Sequence, residues 1–187
     1  MLRFSRFVVT VVAALALAGV GAASQGSGAK GGATKAAAGP VIVLETVKGT
    51  VEIETTPADA PKSVAHIVEL VSKGFYRGLR VHWVATGVVQ MGDPSTRDMS
   101  KQDKWGALYG PPVGVAELSK RPFERGTVGL AYRKDQTPLA AGSQFFILTG
   151  PNPQLNGKYT AIGRVTAGIG VVEKLQHGDM IKSASVK

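Results

Sequence analysis

Short apolar or alternating runs, each closed off by glycine or proline, are the feature that most limits how this chain folds. The 187 residues include 24 glycines and 10 prolines. Both residue types disfavour helix interiors, so the chain can support many turns and few long helices. Val41 to Glu45 and Thr50 to Glu54 read as two strands, with Lys48-Gly49 as the hairpin turn between them. In the second strand Val51 and Ile53 face one way, and Glu52 and Glu54 the other. Leu79 to Ala85, Val88 to Met91, Thr127 to Tyr132, Gln144 to Leu148, Ala161 to Val165 and Ile181 to Val186 are further predicted strands. Asn156-Gly157 is a strong turn signal. Evenly spaced strands with little helix predict an all-β-dominated fold, a closed antiparallel barrel.

Helical periodicity is confined to two places. Pro61 to Lys73 has Asp59 and Pro61 at its start, Gly74 at its end, and Val64, Ile67, Val68 and Val71 along one face. His66 lies off that stripe and reads as a surface histidine. Val171 to Gln176 is a second, short helix, with His177 exposed after it.

The first forty residues have a different character. Arg3 and Arg6 precede an apolar run from Phe7 to Ala18, and Gly21-Ala22-Ala23 offers a cleavage site. Residues 1–23 therefore read as an export signal, and the chain as a periplasmic or secreted protein. The competing reading, an uncleaved membrane anchor, requires about 20 apolar residues, and this run is short for it. Residues 24–40 are almost entirely small residues and lysine and read as a flexible linker, leaving 41–187 as the folded domain. With no cysteine, a disulfide framework and a thiolate metal site are both excluded. The formal net charge is +9. No basic and aromatic cluster suggests a nucleic-acid groove. No metal, nucleic acid or membrane partner is expected once the leader is gone, and the chain is expected to act as a monomer.

Several blocks, taken in order, resemble the cyclophilins. Gly49-Thr-Val-Glu-Ile-Glu54 is similar to their opening strand, Ala60-Pro-Lys-Ser-Val-Ala65 to the start of their first helix, and Lys73-Gly-Phe-Tyr-Arg-Gly78 to the turn after it. Gln90-Met-Gly-Asp-Pro94, Gly142-Ser-Gln-Phe-Phe-Ile147 and Leu155-Asn-Gly-Lys-Tyr159 follow in family order. The resemblance implies a closed eight-stranded antiparallel β-barrel capped by two α-helices, and an outer groove that accepts Xaa-Pro segments. It also implies peptidyl-prolyl cis-trans isomerase activity with no cofactor, here on proline-containing segments of exported proteins.

The reaction is rotation about an amide bond whose barrier is about 18–20 kcal/mol. It needs no nucleophile. It needs a surface that fits the twisted bond better than either planar isomer. By resemblance Trp83, Gln90 and Phe146 are the catalytic positions. Val88, Val89, Ala131, Tyr132, Gln144, Leu155 and Tyr159 are the substrate contacts. On the motif alone, Phe146 could equally belong to the barrel core, because strand faces alternate.

Four departures from the family pattern stand out. Val81-His82-Trp83-Val84 has tryptophan where cyclophilins carry arginine. An indole N–H is one neutral donor, whereas guanidinium is a charged fork of five. Ala85 to Val89 is one residue short, its bulky pocket phenylalanine either missing or replaced by Val88, and Tyr132 replaces a common asparagine. Arg80, three residues from Trp83, points to the opposite face, so Arg133, beside the matched alanine, is the candidate replacement cation. His82 reads as structural. Ser95 to Trp105 is a charged loop in place of a glycine-rich one and reads as a solvated insertion carrying one exposed aromatic. These departures set an isomerase of reduced activity against a non-catalytic proline-binding chaperone or adaptor, with a scaffold carrying partner contacts on its charged loop as a third reading.

Overall fold

The computed structural model describes residues 39–133 and 136–187. The expected export signal and the linker up to residue 38 lie outside the described residues. Gly39 and Pro40, inside the segment expected as linker, already belong to the fold. Gly39 N–H donates to the Thr55 carbonyl, and Pro40 accepts from Thr55 N–H and Oγ1.

Eight strands form one sheet: β1 (Val41–Thr46), β2 (Gly49–Thr55), β3 (Trp83–Ala85), β4 (Val88–Met91), β5 (Thr127–Leu130), β6 (Phe145–Leu148), β7 (Ala161–Ala167) and β8 (Ile181–Val186). Their order across the sheet is β3-β4-β6-β5-β7-β2-β1-β8, and every ladder is antiparallel. Most strands match the predicted runs. The exception is Leu79 to Ala85, of which only the last three residues enter the ladder. Leu79 to Val81 instead meets the segment before β8 through the bridge Arg80↔Met180, with Val81 N–H donating to Asp179 and Ile181 N–H to Leu79. The expected closed barrel is thus a curled sheet whose outer strands, β3 and β8, are linked by this bridge and not by a continuous ladder.

Strand alternation fills the concave side. Ile42 and Leu44 on β1, Val51 and Ile53 on β2, Val89 and Met91 on β4, and Phe145 and Ile147 on β6 are buried together. Helix α1 (Pro61–Ser72) packs Val64, Ile67, Leu70 and Val71 into this core. Leu70 therefore takes the central place expected of Val68, which is only partly buried at the margin. His66 is half-buried rather than on the surface, and burial lowers its pKa. Asp59 does not cap the helix. It pairs with Arg121 at 2.7 Å. The first-turn N–H groups of Lys62 and Ser63 donate instead to the carboxylate of Glu117, at 3.1 and 2.8 Å. Burial pushes the Glu117 carboxyl up, but these hydrogen bonds outweigh it and hold the group below its ordinary range. The second helix, α2 (Ile169–Val172), starts two residues before the predicted one and ends sooner, leaving Leu175 buried in the turn that follows.

Candidate active site

The convex side of β3, β4, β6, β5 and β7 carries a row of residues set by ladder register. Trp83 stands opposite Gln90, Gln90 opposite Phe146, Phe146 opposite Gly129, and Gly129 opposite Ala161. Directly opposed residues project from the same face of a sheet, so these five form the floor of one surface. Two features of the sequence make the row possible. β3 and β4 are joined by the two-residue turn Thr86-Gly87, and Gly87 takes the left-handed backbone (φ 83°) that such a turn requires. Gly129 lets the Phe146 ring lie flat, since a Cβ there would come within 2.4 Å of Phe146 Cζ.

Around Phe146 a second apolar cluster forms, separate from the main core. It comprises Phe123, Ala131, Phe146, Leu148 and Ala161, with Val88, Tyr109, Leu155 and Tyr159 packed at its edge. Phe146 meets Tyr159 edge to face at 5.6 Å between ring centres, and Phe123 lies 6.1 Å away. Phe123 is held by its backbone: its N–H donates to Asn156 Oδ1 and its carbonyl accepts from Asn152 N–H. Tyr132 stacks on Tyr159 at 4.7 Å, and its hydroxyl donates to the Lys158 carbonyl, tying the loop carrying Leu155 and Tyr159 to the end of β5. Burial, and then the neighbouring Tyr159, raise the Tyr132 pKa, so it stays a neutral donor.

Above this cluster lies a hollow of about 200 Å³, lined by Trp83, Val88, Gln90, Ala131, Tyr132, Phe146, Leu155 and Tyr159, with Leu148 and Asn152 completing it. Of the residues expected in the site, two stand elsewhere. Val89 is a correction: on β4 it points to the concave side and is 3% exposed in the main core, because alternation sends Val88 and Gln90 outward. Gln144 is the other. It is fully buried beneath the groove and does not line it. Its Oε1 accepts from Gln90 Nε2 at 2.7 Å, and its Nε2 donates to the carbonyls of Gly106 and Leu108. This fixes the Gln90 amide through its Nε2, and its carbonyl oxygen is the acceptor end of the group.

A second, wider hollow adjoins the first and shares Trp83, Gln90, Tyr132 and Tyr159 with it. Arg133 lines this one, together with His82 and Trp105. Arg80 does not reach either: its Nη1 donates to the Gly178 carbonyl. His82 is buried, and burial lowers its pKa, an effect the nearby Asp93 carboxylate offsets only in part. The loop after β4 is solvent-exposed over Met99–Lys104, as expected, but it is anchored at both ends. Asp93, fully buried, accepts from Ser95 N–H and Oγ on one oxygen and from Gly106 and Leu108 N–H on the other. Between these anchors run the helical turns Pro94–Arg97 and Met99–Lys104. Trp105 is half-buried, its ring stacked on His177 at 5.2 Å and its indole N–H donating to the Asp98 carbonyl. Sequence reasoning missed Phe123, Leu148 and Gly129 as parts of the site. Each is an ordinary apolar or turn residue with no local mark of its contact with Phe146.

The model of the cyclophilin type peptidyl-prolyl cis-trans isomerase family matches residues 41–187. A probable peptidyl-prolyl cis-trans isomerase of Brucella abortus is 40% identical over 163 residues, covering 82% of this chain and 81% of that one. A peptidyl-prolyl cis-trans isomerase of Helicobacter pylori is 32% identical over 150 residues, covering 75% and 82%. Among solved structures, a Cryptosporidium parvum cyclophilin type isomerase superposes with a TM-score of 0.68 at 23% identity, over 79% of this chain and 97% of that one. The cyclophilin AquaCyp293 from Hirschia baltica gives 0.60 at 24% identity, over 77% and 72%. The chain therefore belongs to the cyclophilin-type peptidyl-prolyl cis-trans isomerases. Its enzyme class is peptidyl-prolyl isomerase.

Proposed function

We propose that this protein accelerates Xaa-Pro isomerisation in exported polypeptides, at a rate reduced by Trp83. The observation that carries the reading is the shared hollow, in which Trp83, Gln90, Phe146, Leu155 and Tyr159 face one volume. In this reading the proline ring sits on Phe146 between Leu155 and Tyr159, and Gln90 holds the substrate backbone. Rotation is then favoured because the apolar floor grips the ring while the polar side holds the chain. Proline segments as ligands are supported by the Cryptosporidium parvum isomerase, whose structure was also determined in the presence of the dipeptide Ala-Pro.

Trp83 offers one neutral N–H where the resemblance places an arginine. A charge-assisted hydrogen bond is worth about 1.5–3 kcal/mol, which converts to roughly tenfold to a hundredfold in rate. In a protease-coupled proline-peptide assay the protein is expected to show a slow rate above background, and Trp83→Arg to raise kcat/KM by up to about a hundredfold. A null rate at high protein concentration would reject catalysis. Peptide binding without turnover would favour the second reading, a proline-binding chaperone or adaptor, which Trp83 also supports. Export rests on the leader at 1–23, and action as a monomer is part of the same proposal. Cell fractionation with mass measurement of the mature chain, and light scattering of the purified protein, test these two.

A further inference from the structure

The Asn156-Gly157 pair does more than turn the chain. The protein has two asparagines, Asn152 and Asn156. Asn152 is followed by proline, whose nitrogen carries no hydrogen and cannot act as a nucleophile. Asn156 is followed by glycine, whose nitrogen has no side chain to shield it. Both residues of the pair are exposed, and Gly157 N–H donates in no hydrogen bond among the described residues. The pair sits at the centre of a tight turn, closed by Lys158 N–H donating to the Leu155 carbonyl. Asn156 has φ -57° and ψ 130°, and Gly157 has φ 69°, the backbone of a type II turn. One contact holds the Asn156 side chain: its Oδ1 accepts from Phe123 N–H at 2.8 Å. That contact is a latch. Phe123 lies against Phe146, the floor of the proline hollow, and the latched turn carries Leu155 and Tyr159, two of its walls.

We propose that Asn156 is a site of spontaneous deamidation, and that its isoaspartyl product unlatches the turn that walls the hollow. The backbone nitrogen of Gly157 attacks Asn156 Cγ. An N–Cγ bond forms as the Cγ–Nδ2 bond breaks, and ammonia leaves with the proton from Gly157. Water then opens the five-membered imide. Opening at Cγ gives aspartate; opening at the main-chain carbonyl gives isoaspartate, in which the chain runs on through Cγ. Aspartate keeps an acceptor for Phe123 N–H and adds one negative charge. Isoaspartate lengthens the main chain by one carbon and makes the acceptor carbonyl part of the peptide backbone. The turn is pinned beyond this point, because the Tyr132 hydroxyl holds the Lys158 carbonyl. The extra carbon therefore displaces the latch. The fold slows the reaction without stopping it, since the Asn156 side chain must leave Phe123 to meet Gly157. One hydrogen bond lowers the population of the released form by up to about tenfold. The effect on the hollow rests on the proline reading; the deamidation itself does not.

The test holds the purified full chain at neutral pH and follows it by peptide mapping and mass spectrometry. The same chain in urea gives the rate without the latch. Replacement of NH2 by OH is expected at Asn156, with isoaspartate the larger product, at a rate within about tenfold of that in urea. Gly157→Ala shields the nitrogen with a methyl that meets no atom within 4 Å, and it should slow the reaction. No conversion in the folded chain by the time the chain in urea has converted, aspartate as the sole product, or a rate unmoved by Gly157→Ala overturns the proposal. The isoaspartyl form is then separated by chromatography. It should unfold at lower urea and bind a proline peptide about tenfold more weakly than fresh protein, the scale of one lost hydrogen bond. Asn156→Asp, which adds the charge without lengthening the chain, should lose less. An isoaspartyl form with the urea midpoint of fresh protein overturns the proposal. If Gly157→Ala does not fold, the two wild-type rates and the isoaspartyl midpoint decide alone. If fresh protein binds no proline peptide, the proline reading fails, and the mass change and the urea midpoint still decide this one.

Discussion

The two faces of β6 carry similar side chains and have opposite fates. Phe145 and Ile147 point to the concave side, where α1 and the opposing strands close over them. Phe146 and Leu148 point to the convex side, where glycine at 129 and alanines at 131 and 161 keep the surroundings low. On the first face Met91 and Leu130 stand opposite Phe145, Val89 and Val128 stand opposite Ile147, and all six are buried in the main core. On the second, small neighbours leave space above an aromatic ring while aromatic residues stand at the edge. Phe146 is 4% exposed against 3% for Phe145, so the hollow reaches it as a floor beneath a rim of side chains and not as an open apolar surface.

The largest effect that could break this contrast comes from paired substitutions on β6. Phe146→Ala should lower kcat/KM by about a hundredfold, equivalent to about 3 kcal/mol at the transition state. Ile147→Ala should instead lower stability by about 2–5 kcal/mol in urea unfolding, leaving kcat/KM per folded molecule within about twofold. Similar activity losses for both would mean that the convex face has no special role. A smaller effect sharpens the picture of the groove's support. Gln144→Leu keeps the volume but removes the acceptor that orients Gln90. A loss of about tenfold in kcat/KM is expected, the scale of one hydrogen bond, and an unchanged value would show that Gln90 needs no such brace.

Smaller again is the cap on α1, which lies on the covered side. Glu117→Ala removes the acceptor for the Lys62 and Ser63 N–H groups. By analogy with other N-terminal caps it should lower stability by about 1 kcal/mol with catalysis intact. The smallest expected effect is a pH slope. His82 and His66 both have folded-state pKa values lowered by burial. The unfolded chain therefore takes up protons first as pH falls. Their contribution is present above the ordinary histidine value of about 6.5 and is lost as pH drops from there through the folded values. The urea midpoint should decline between pH 7 and pH 5. His82→Gln, which removes the group facing Asp93 and His177, should flatten part of that decline and leave the share of His66. An undiminished slope would exclude His82 as a contributor.

Much of this was legible in the chain itself. Strand runs and turn signals located nearly every element, and Gln90, Phe146, Leu155 and Tyr159 were recognisable in motif blocks and do share one hollow. Val89 was misread because the shortened hairpin after Trp83 hides which residues face outward until the Trp83↔Gln90 register is known. The 95–105 loop is exposed over Met99–Lys104, as its charge suggested, but its organiser, Asp93, was not legible, because it works through backbone N–H groups of Gly106 and Leu108 that leave no trace in residue type.

By itself the sequence determined the order of the strands, the places where the chain turns and the side chains available to a groove. These follow from alternation and backbone preference, whose reach is a few neighbouring residues. Only the tertiary structure decided that Phe146 and not Phe145 looks outward, that Gln144 lies beneath Gln90 and does not line the groove, that Glu117 caps a helix 54 residues away, and that Trp105 comes to stand beside the same hollow as Trp83. Those outcomes depend on how distant strands pair and on which side the sheet curls, and no local rule carries that information.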